Sequence, residues 1–390
     1  MSSRKKIFTR TVWMVSLVSL FTDISSEMLY PVMPSYLASI GFSALLTGSL
    51  EGFADAVVGL SKGYFGKWSD NSRRRIPFIR WGYLLSALSK PMMGLLTFPG
   101  WIFSARSMDR LGKGLRTAAR DAMLSEEAAP EDKGKVFGFH RGMDTLGAVL
   151  GPLAAITYLY FHPGEYRIMF FLAFVPAILG VSLTLLIKDK TPSGEIPAMP
   201  RNPFSYFKYW KNASPSYRKI IAGFLAFSLI NSSDIFILIM AKHAGLSDIQ
   251  TIGGYILYNF VYAIASYPAG VLADKAGMKK TFIISLVLFA IVYLGFAMLN
   301  GATMFYILFS IYGIYAAGNE GISKAWIAGV VPGNETATAI GFFAGCSSLA
   351  AFMASIMAGL LWTYVTPSFP FIFSAAGAML VVIYFWKQAK

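Results

Sequence analysis

The sequence predicts an all-α membrane protein whose twelve transmembrane helices form two pseudo-symmetric bundles of six. Its composition is the first observation: 55% of the 390 residues are hydrophobic and only 14% are charged, whereas soluble proteins carry about 25% charged residues. The second is that the apolar residues gather in long windows separated by short polar connections. The third is that the basic residues gather on one set of connections. These observations exclude an ordinary soluble enzyme.

Each apolar window is long enough for a helix of about 20 residues to cross a bilayer. Runs this long and apolar are typical of helices, which satisfy their own backbone hydrogen bonds in hydrocarbon. Asp23 and Glu27 interrupt the first window, so we interpret it as a retained helix and not as a signal peptide. Spans 1 to 12 are predicted at 11–36, 44–66, 76–98, 100–124, 135–161, 165–187, 219–241, 250–273, 281–299, 303–328, 335–364 and 368–387.

The distribution of basic residues predicts the orientation. The connections 41–43, 99–100, 300–301 and 366–368 carry no charge. The opposite side holds the N-terminal basic cluster, residues 73–75, the segment 188–219, Lys275, Lys279, Lys280 and the C-terminal lysines. Lysine and arginine favour the cytoplasmic side, so both termini are expected in the cytoplasm, with the protein in the inner (plasma) membrane. We interpret the net charge of +14 in the same way, and not as a sign of nucleic-acid binding.

The longest polar stretch divides the chain into an N-terminal bundle at 1–187, a cytoplasmic linker at 188–218 and a C-terminal bundle at 219–390. The linker contains five prolines, which favour a tether. Aromatic and lysine residues between Phe204 and Lys211 predict a short helix lying on the inner leaflet.

The two halves also repeat. Gly66-x-x-x-Asp70 has a counterpart 204 positions later in Gly270-x-x-x-Asp274, and Gly112 matches Gly318 at a similar offset. A parallel repeat of six helices predicts a substrate path where the two halves meet.

The loop between spans 2 and 3, with its copy between spans 8 and 9, resembles the major facilitator superfamily. The second copy, with Asp274 and Lys275, is the closer match, because Asn71 and Arg73 depart from the pattern in the first. The resemblance implies the fold of that superfamily. It also implies that Asp70 caps the start of span 11 and that Arg74 or Arg75 pairs with Asp121. The alternative is a solvated basic loop that only sets the topology.

Span 5 carries Gly138-x8-Gly147-x3-Gly151-Pro152, which resembles the antiporter motif of the proton-coupled drug and metabolite efflux branch. Glycines let a neighbouring helix approach closely, and Pro152 frees a backbone carbonyl. The last glycine of the motif is replaced by Ala155. The alternative is ordinary packing of small residues.

Many charged residues lie inside the first six spans. Each costs about 2.5–3.5 kcal/mol at the centre of a lipid-facing helix. Their sum would exceed the usual stability of about 5–15 kcal/mol if all of them faced lipid. They must therefore pair with one another or line an aqueous cavity.

Four acids are the candidates for proton coupling: Asp23 and Glu27 first, then Asp55 and Asp144. Asp23 and Glu27 are four residues apart and share a helix face. Neighbouring carboxylates raise each other's pKa in a cavity of low dielectric, so one of them can hold a proton. The alternative is that Asp23 and Glu27 are permanent salt-bridge partners of Arg106 and Arg110.

Polar residues of both halves are the candidates for substrate binding. In the N-terminal half they are Arg106, Asp109, Arg110, Glu51 and Lys90; in the C-terminal half they are Asn231, Asp234, Tyr258, Asn259, Tyr262, Tyr312 and Tyr315. Lys90 has the alternative of extending to the outer interface, and Glu51 that of a structural role.

The leading hypothesis is secondary active transport by alternating access, with a small organic molecule exported in exchange for protons. Na⁺ is the alternative coupling ion. The alternative is uptake by proton symport of an organic anion, a metabolite or a siderophore, bound by Arg106, Arg110 and Lys90.

A different class is a receptor of the same fold that does not transport. An intramembrane enzyme is disfavoured because His-Glu-x-x-His is absent, and no Walker sequence supports nucleotide-driven transport. We expect a monomer in the bilayer with no cofactor, no metal and no nucleic-acid partner.

Overall fold

The computed structural model describes residues 8–72, 74–127, 133–189, 209–332 and 336–388, which form helices and connecting segments without a strand. The helices are α1 Arg10–Leu29, α2 Met33–Ser39, α3 Ala44–Ser72, α4 Ile76–Leu95, α5 Pro99–Glu127, α6 Lys133–Phe161, α7 Tyr166–Thr184, α8 Tyr209–Asn212, α9 Pro215–Ser228, α10 Ile235–His243, α11 Asp248–Ala276, α12 Met278–Ala297, α13 Gly301–Val330, α14 Thr336–Tyr364 and α15 Phe369–Lys387. Each predicted span coincides with one helix or with two consecutive helices. The predicted all-α fold class is confirmed.

Spans 1 and 7 are the two that consist of two helices each. In span 1, a 3₁₀ turn at Tyr30–Val32 separates α1 from α2; Pro31 and Pro34 fall at this junction, where each removes a backbone donor. In span 7, residues 229–234 separate α9 from α10. Side chains such as Asn, Ser and Asp, which fill 231–234, compete for backbone hydrogen bonds and so disfavour a continuous helix.

The surface of the described residues suits hydrocarbon. Large apolar side chains are exposed along the helices, among them Trp81 at 61%, Leu380 at 68% and Trp386 at 70%. Exposed apolar surface on this scale marks contact with a membrane. Within the part of the chain that the structure describes, seven helical segments qualify as spans by length and composition alone: Arg10–Ser39, Phe139–Phe161, Tyr166–Thr184, Met278–Ala297, Gly301–Ile327, Ala339–Tyr364 and Phe369–Lys387. Helix α5 is not among them, because charged residues recur along it from Arg106 to Glu127.

The chain forms two compact units. Unit 1 contains Met1–Val32 and Leu60–Pro203, and unit 2 contains Met33–Gly59 and Phe204–Lys390. The junction after Pro203 falls inside the predicted linker, and residues 190–208 of that linker lie outside the described residues. Most of the predicted interfacial helix also lies outside them, and α8 is its described part.

The assignment of residues 33–59 to unit 2 has a visible packing reason. A methyl group at Gly52 of α3 would lie 2.8 Å from the Ser355 Cβ of α14, and one at Gly359 of α14 would lie 2.6 Å from the Leu45 Cα. Small residues thus allow the first half of α3 to lie close against α14.

In unit 1, α4 and α5 meet at glycines. A methyl group at Gly82 would lie 2.7 Å from the Gly112 carbonyl oxygen, and one at Gly112 would lie 2.8 Å from the Ser86 hydroxyl. In unit 2, Gly318 of α13 lies in the same way against Ser285 of α12. The sequence match between Gly112 and Gly318 therefore corresponds to one kind of contact made twice: a glycine facing a serine of the preceding helix.

Candidate functional site

Helices α1 and α6 of unit 1 pack at the position of the predicted coupling acids. A methyl group at Gly147 would lie 2.8 Å from the Asp23 Cβ and 2.9 Å from the Leu20 carbonyl oxygen. One at Gly151 would lie 2.6 Å from the Ile24 carbonyl oxygen. The helix that approaches these two glycines is α1, on the turns that carry Asp23 and Glu27.

Asp23 is the centre of a mixed group of charges. It lies within electrostatic range of the acids Asp144 and Glu27 and of the bases Arg116 and Arg120. The structure thus places three of the four predicted coupling acids in one part of unit 1, while Asp55 lies on α3 in unit 2.

The arginines of this group are held by further partners. Arg120 donates to the Ser19 hydroxyl at 3.0 Å and pairs with Asp121 at 3.0 Å. Arg116 donates to the Ser86 hydroxyl at 2.5 Å, with its guanidinium carbon 4.5 Å from the centre of the Tyr83 ring.

Lys90 points inward and not to the outer interface. It is 3% exposed and pairs with Asp109 of α5 at 2.8 Å. Asp109 also lies 3.5 Å from Arg106, which is buried too. The Lys90 ammonium additionally donates to the Ser26 hydroxyl at 3.3 Å. Three of the predicted substrate-binding residues therefore form one buried cluster, with α1, α4 and α5 each contributing a side chain to it.

A second polar contact joins α6 to α1 one turn before Asp144. His140 is 3% exposed; its Nδ1 lies 3.2 Å from the Ser16 hydroxyl and its Nε2 3.7 Å from the Asp144 carboxylate. His140 was not among the predicted site residues, although its i, i+4 spacing to Asp144 is visible in the sequence.

The structure shows Arg75 and Asp121 in other ion pairs, and the predicted pairing of the basic loop with Asp121 stays a prediction. Arg75 pairs with Glu126 at 2.9 Å, and Asp121 pairs with Arg120 on its own helix. Glu126 lies five residues beyond Asp121, near the end of α5. Arg74 is exposed.

Asp189, which sequence reasoning missed, accepts hydrogen bonds from the backbone N–H groups of Arg75 at 2.9 Å and Ile76 at 3.1 Å. It therefore stabilises the start of α4, as an anion does at a helix N-terminus.

Several predicted gating residues fall partly outside what the structure describes. The side chains of Asp70 and Asp274 and the surroundings of Gly138 are not among the described features, so their roles stay predictions. Lys275, in the last turn of α11, is exposed, and Pro152 is buried within α6.

Arg110, also predicted to bind substrate, lies on α5 in unit 1, and unit 2 contains the remaining predicted residues. Glu51 is 1% exposed and Asp55 is half-buried, one turn apart on α3. At the start of α11, the Asp248 carboxylate accepts from the Ser35 hydroxyl at 2.6 Å and pairs with Lys242 at 2.9 Å. This contact joins α2 to α10 and α11.

The break between α9 and α10 carries Asn231 and Asp234. Asp234 occupies the N-cap position of α10 but makes no side-chain hydrogen bond to that helix. Its carboxylate accepts from the Tyr312 hydroxyl of α13 at 2.5 Å. The break therefore turns a carboxylate towards a neighbouring helix.

Tyrosines of α11 and α13 form stacked rings around this position. The Tyr258 ring lies 5.6 Å from Tyr312 and 6.3 Å from Tyr262, nearly parallel to both. Tyr315 accepts from the Asn319 amide at 3.1 Å. Asn259 donates to a carbonyl of its own helix, at Tyr255.

A cavity of about 200 Å³ lies within unit 2. Its walls combine aromatic rings with amide and hydroxyl groups and with one lysine: Phe224, Phe227, Ser228, Asn231, Phe282, Asn319, Ser323, Lys324, Phe343 and Ser347. Four of the ten lining residues are aromatic and six are polar, so the cavity presents hydrogen-bonding groups beside apolar rings.

Comparisons with known proteins give one family and one fold. The profile of the Major Facilitator Superfamily matches residues 15–256 and 220–390. An uncharacterized MFS-type transporter of Methanocaldococcus jannaschii is 32% identical over 385 residues, covering 96% of this chain and 93% of the relative. Among solved structures, a POT family transporter in complex with a thioalcohol-conjugated peptide superposes with a TM-score of 0.81 at 13% identity, covering 97% of this chain and 96% of the other. A D-xylose–proton symporter gives 0.73 at 16% identity, with 96% of each chain covered.

Proposed function

The chain belongs to the Major Facilitator Superfamily, and from this premise we propose that it exports a small organic molecule in exchange for protons by alternating access. That it is a membrane transporter of this superfamily follows from the family itself. The direction of transport, the coupling ion and the cargo are the proposal. We place the protein in the plasma membrane as a monomer, with both termini in the cytoplasm.

The observation that carries the proposal is the position of Asp23 against Gly147. A carboxylate that shares its surroundings with two acids and two arginines changes the local charge balance when it binds one proton. Because Asp23 lies on the contact between α1 and α6, that change acts on the packing of two helices. This is the link between protonation and movement that a proton-driven transporter needs.

The other predicted residues take roles around this link. Glu27 and Asp144 share the coupling group with Asp23, and Asp55 serves as a second titrating acid on α3. Lys90, Asp109 and Arg106 hold α4 and α5 together beside it. Asn231, Asp234 and the tyrosines of α11 and α13 contact the cargo.

Everted membrane vesicles test the direction and the coupling together. Respiration acidifies their interior, a fluorescent amine reports the pH gradient, and each test compound is added outside. Proton exchange predicts that at least one compound dissipates the gradient in vesicles with the protein and not in vesicles without it. The panel contains benzyltrimethylammonium, glycine betaine and citrate.

Other outcomes correspond to the other functions. Uptake of citrate into right-side-out vesicles under an inward proton gradient, with no response in everted vesicles, would establish symport of an anion. Saturable binding without flux of any compound would establish a receptor.

A further inference from the structure

The first turn of α1 and the chain that follows α7 enclose a pocket with two bases on its walls. From its charge and its surroundings we infer that this pocket binds the headgroup of an anionic phospholipid, whose phosphate lies between Arg10 and Lys188. The lipid site lies within unit 1 and is independent of the cargo and of the coupling ion proposed above.

The pocket is large enough for a headgroup. Its volume is about 390 Å³, and small-molecule sites occupy about 300–1,000 Å³. Its walls include two bases, a hydroxyl group and apolar side chains: Arg10, Lys188, Thr11, Met14, Leu185 and Leu186. This lining combines attraction for an anion with contact surface for hydrocarbon.

The α7 side of the pocket is fixed to α4. Arg80 of α4 donates to the carbonyl oxygens of Thr184 and Ile187, both at 3.3 Å. Asp189 accepts from the backbone N–H groups at the start of α4. Because these bonds lie on both sides of Lys188 in the chain, they hold its backbone in place while its side chain is exposed. The Lys188 ammonium is therefore presented at the surface from a fixed position.

The α1 side of the pocket is fixed as well. The Thr9 hydroxyl accepts from the Val12 backbone N–H at 3.2 Å and donates to the Glu127 carboxylate of α5 at 2.8 Å. Helix α1 also lies close against α7, since a methyl group at Gly180 would come within 3.2 Å of the Val18 carbonyl oxygen. Packing thus holds the two walls of the pocket together.

Arg10 and Lys188 carry positive charge that the described residues do not neutralise. Within these residues, neither side chain forms an ion pair or a hydrogen bond. The two acids beside them have other partners: Glu127 accepts from Thr9, and Asp189 accepts from the backbone of α4. The first turn of α1 contains no acid. An anion from outside the protein would therefore complete the charge balance of the pocket.

The sequence increases the positive charge at this end of the chain. Residues 4–6 are arginine, lysine and lysine, so that four bases occur by Arg10, and no acid precedes Asp23. Clusters of about 4–8 bases beside a membrane helix attract anionic lipids, and basic pockets between helices bind their headgroups. The N-terminal basic cluster thus has a role in addition to setting the topology.

Apolar side chains beside the bases favour a lipid over a water-soluble anion. Leu185 and Leu186 are exposed next to Lys188, and Trp13 is exposed on the first turns of α1. Exposed apolar surface marks contact with hydrocarbon, and tryptophan is enriched where headgroups meet acyl chains. A phospholipid occupies both environments at once.

Native mass spectrometry of the purified full-length protein in a mild detergent measures the binding. The probes are phosphatidylglycerol and phosphatidylcholine with identical acyl chains, and glycerol 3-phosphate as a water-soluble headgroup. We expect saturable binding of one phosphatidylglycerol molecule, about 25-fold tighter than phosphatidylcholine, since each of the two bases contributes about fivefold. Glycerol 3-phosphate should bind more weakly than phosphatidylglycerol, because it lacks the acyl chains.

Variants of the two bases test the position of the site. Arg10→Gln and Lys188→Gln should each weaken phosphatidylglycerol about fivefold, and the double variant should remove its preference over phosphatidylcholine. Both side chains are exposed, so we expect these variants to fold. Arg10→Lys combined with Lys188→Arg keeps both charges and should retain the preference. Lys280→Gln, an exposed lysine at the start of α12 in unit 2, is the matched control and should bind normally.

Equal affinity for the two lipids would overturn the inference, as would a double variant that binds phosphatidylglycerol like the unmodified protein. Equally tight binding of glycerol 3-phosphate would assign the pocket to a soluble anion and not to a lipid. A loss in Lys280→Gln as large as in the double variant would show that the total charge of the protein, and not this pocket, selects the lipid. Failure of proton exchange in the vesicle assay would leave all of these results unchanged.

Discussion

Gly147 of α6 lies directly against Asp23 of α1: a single methyl group added to the glycine would come within 2.8 Å of the aspartate Cβ. The acid that we propose for coupling and a glycine of the antiporter-like pattern are thus the two sides of one helix contact. The small residues of span 5 therefore determine how closely α6 approaches the acids of span 1. Any side chain at Gly147 separates the helices at the point where a proton would act.

Gly151→Ala should destabilise the protein and impair transport, because its methyl group would lie 2.6 Å from the Ile24 carbonyl and 2.7 Å from the Met28 nitrogen. Overpacking of this kind costs about 1–3 kcal/mol. The thermal unfolding midpoint in detergent and the vesicle assay measure the two effects. Gly142→Ala is the matched control: it lies on the same helix with no atom within 4 Å of the added methyl group. A lower midpoint in the control than in Gly151→Ala would contradict this account of the helix contact.

Asp23→Asn should abolish gradient-driven flux while the protein still folds. The amide keeps the shape of the side chain but cannot carry the proton, and the two neighbouring arginines retain other partners. Flux in proteoliposomes with an imposed pH gradient is the measurement, and Glu165→Gln serves as a control carboxylate on the surface. Normal coupled flux in Asp23→Asn would mean that the proton is carried elsewhere, with Glu27, Asp55 and Asp144 the next acids to replace.

The spans were predictable from sequence because hydropathy acts over windows of about 20 residues, whatever the neighbours are. The break at 229–234 was not predicted. The polar residues at 231–234 disfavour a helix, but the hydroxyls that bind its backbone groups belong to Ser355 and Ser374, more than 100 residues away. The same reason applies to Lys90: whether it reaches the interface or a partner is decided by where α5 places Asp109. Sequence identified the acids of span 1 but not the helix that packs on them. The charged residues could thus be identified from the sequence, whereas their partners depend on how the helices pack.

Lys90→Met should destabilise the protein strongly. It leaves the Asp109 carboxylate, whose side chain is 8% exposed, without its 2.8 Å partner. Removing one member of a buried pair costs about 3–5 kcal/mol, and Arg106 at 3.5 Å should keep the loss near the lower end. The double variant Lys90→Met, Asp109→Asn should recover part of the unfolding midpoint, because the Asp109 charge is removed together with its Lys90 partner. The recovery should stay partial, because Arg106 loses its 3.5 Å contact with the carboxylate. A single variant as stable as the unmodified protein would show that the pair contributes nothing to folding.

Opening at the outer end should require the contact between Ser35 and Asp248 to break. This hydrogen bond of 2.6 Å ties α2 to α11, and Lys242 shares the same carboxylate. In a Cys346→Ala background, cysteines at positions 35 and 248 joined by a short thiol-reactive crosslinker should stop transport. Reduction of a cleavable linker should restore it, because alternating access needs this end to separate in every cycle. Each single-cysteine variant treated with the same reagent is the control. Full transport with the linker in place would show that the contact between α2 and α11 stays closed throughout the cycle.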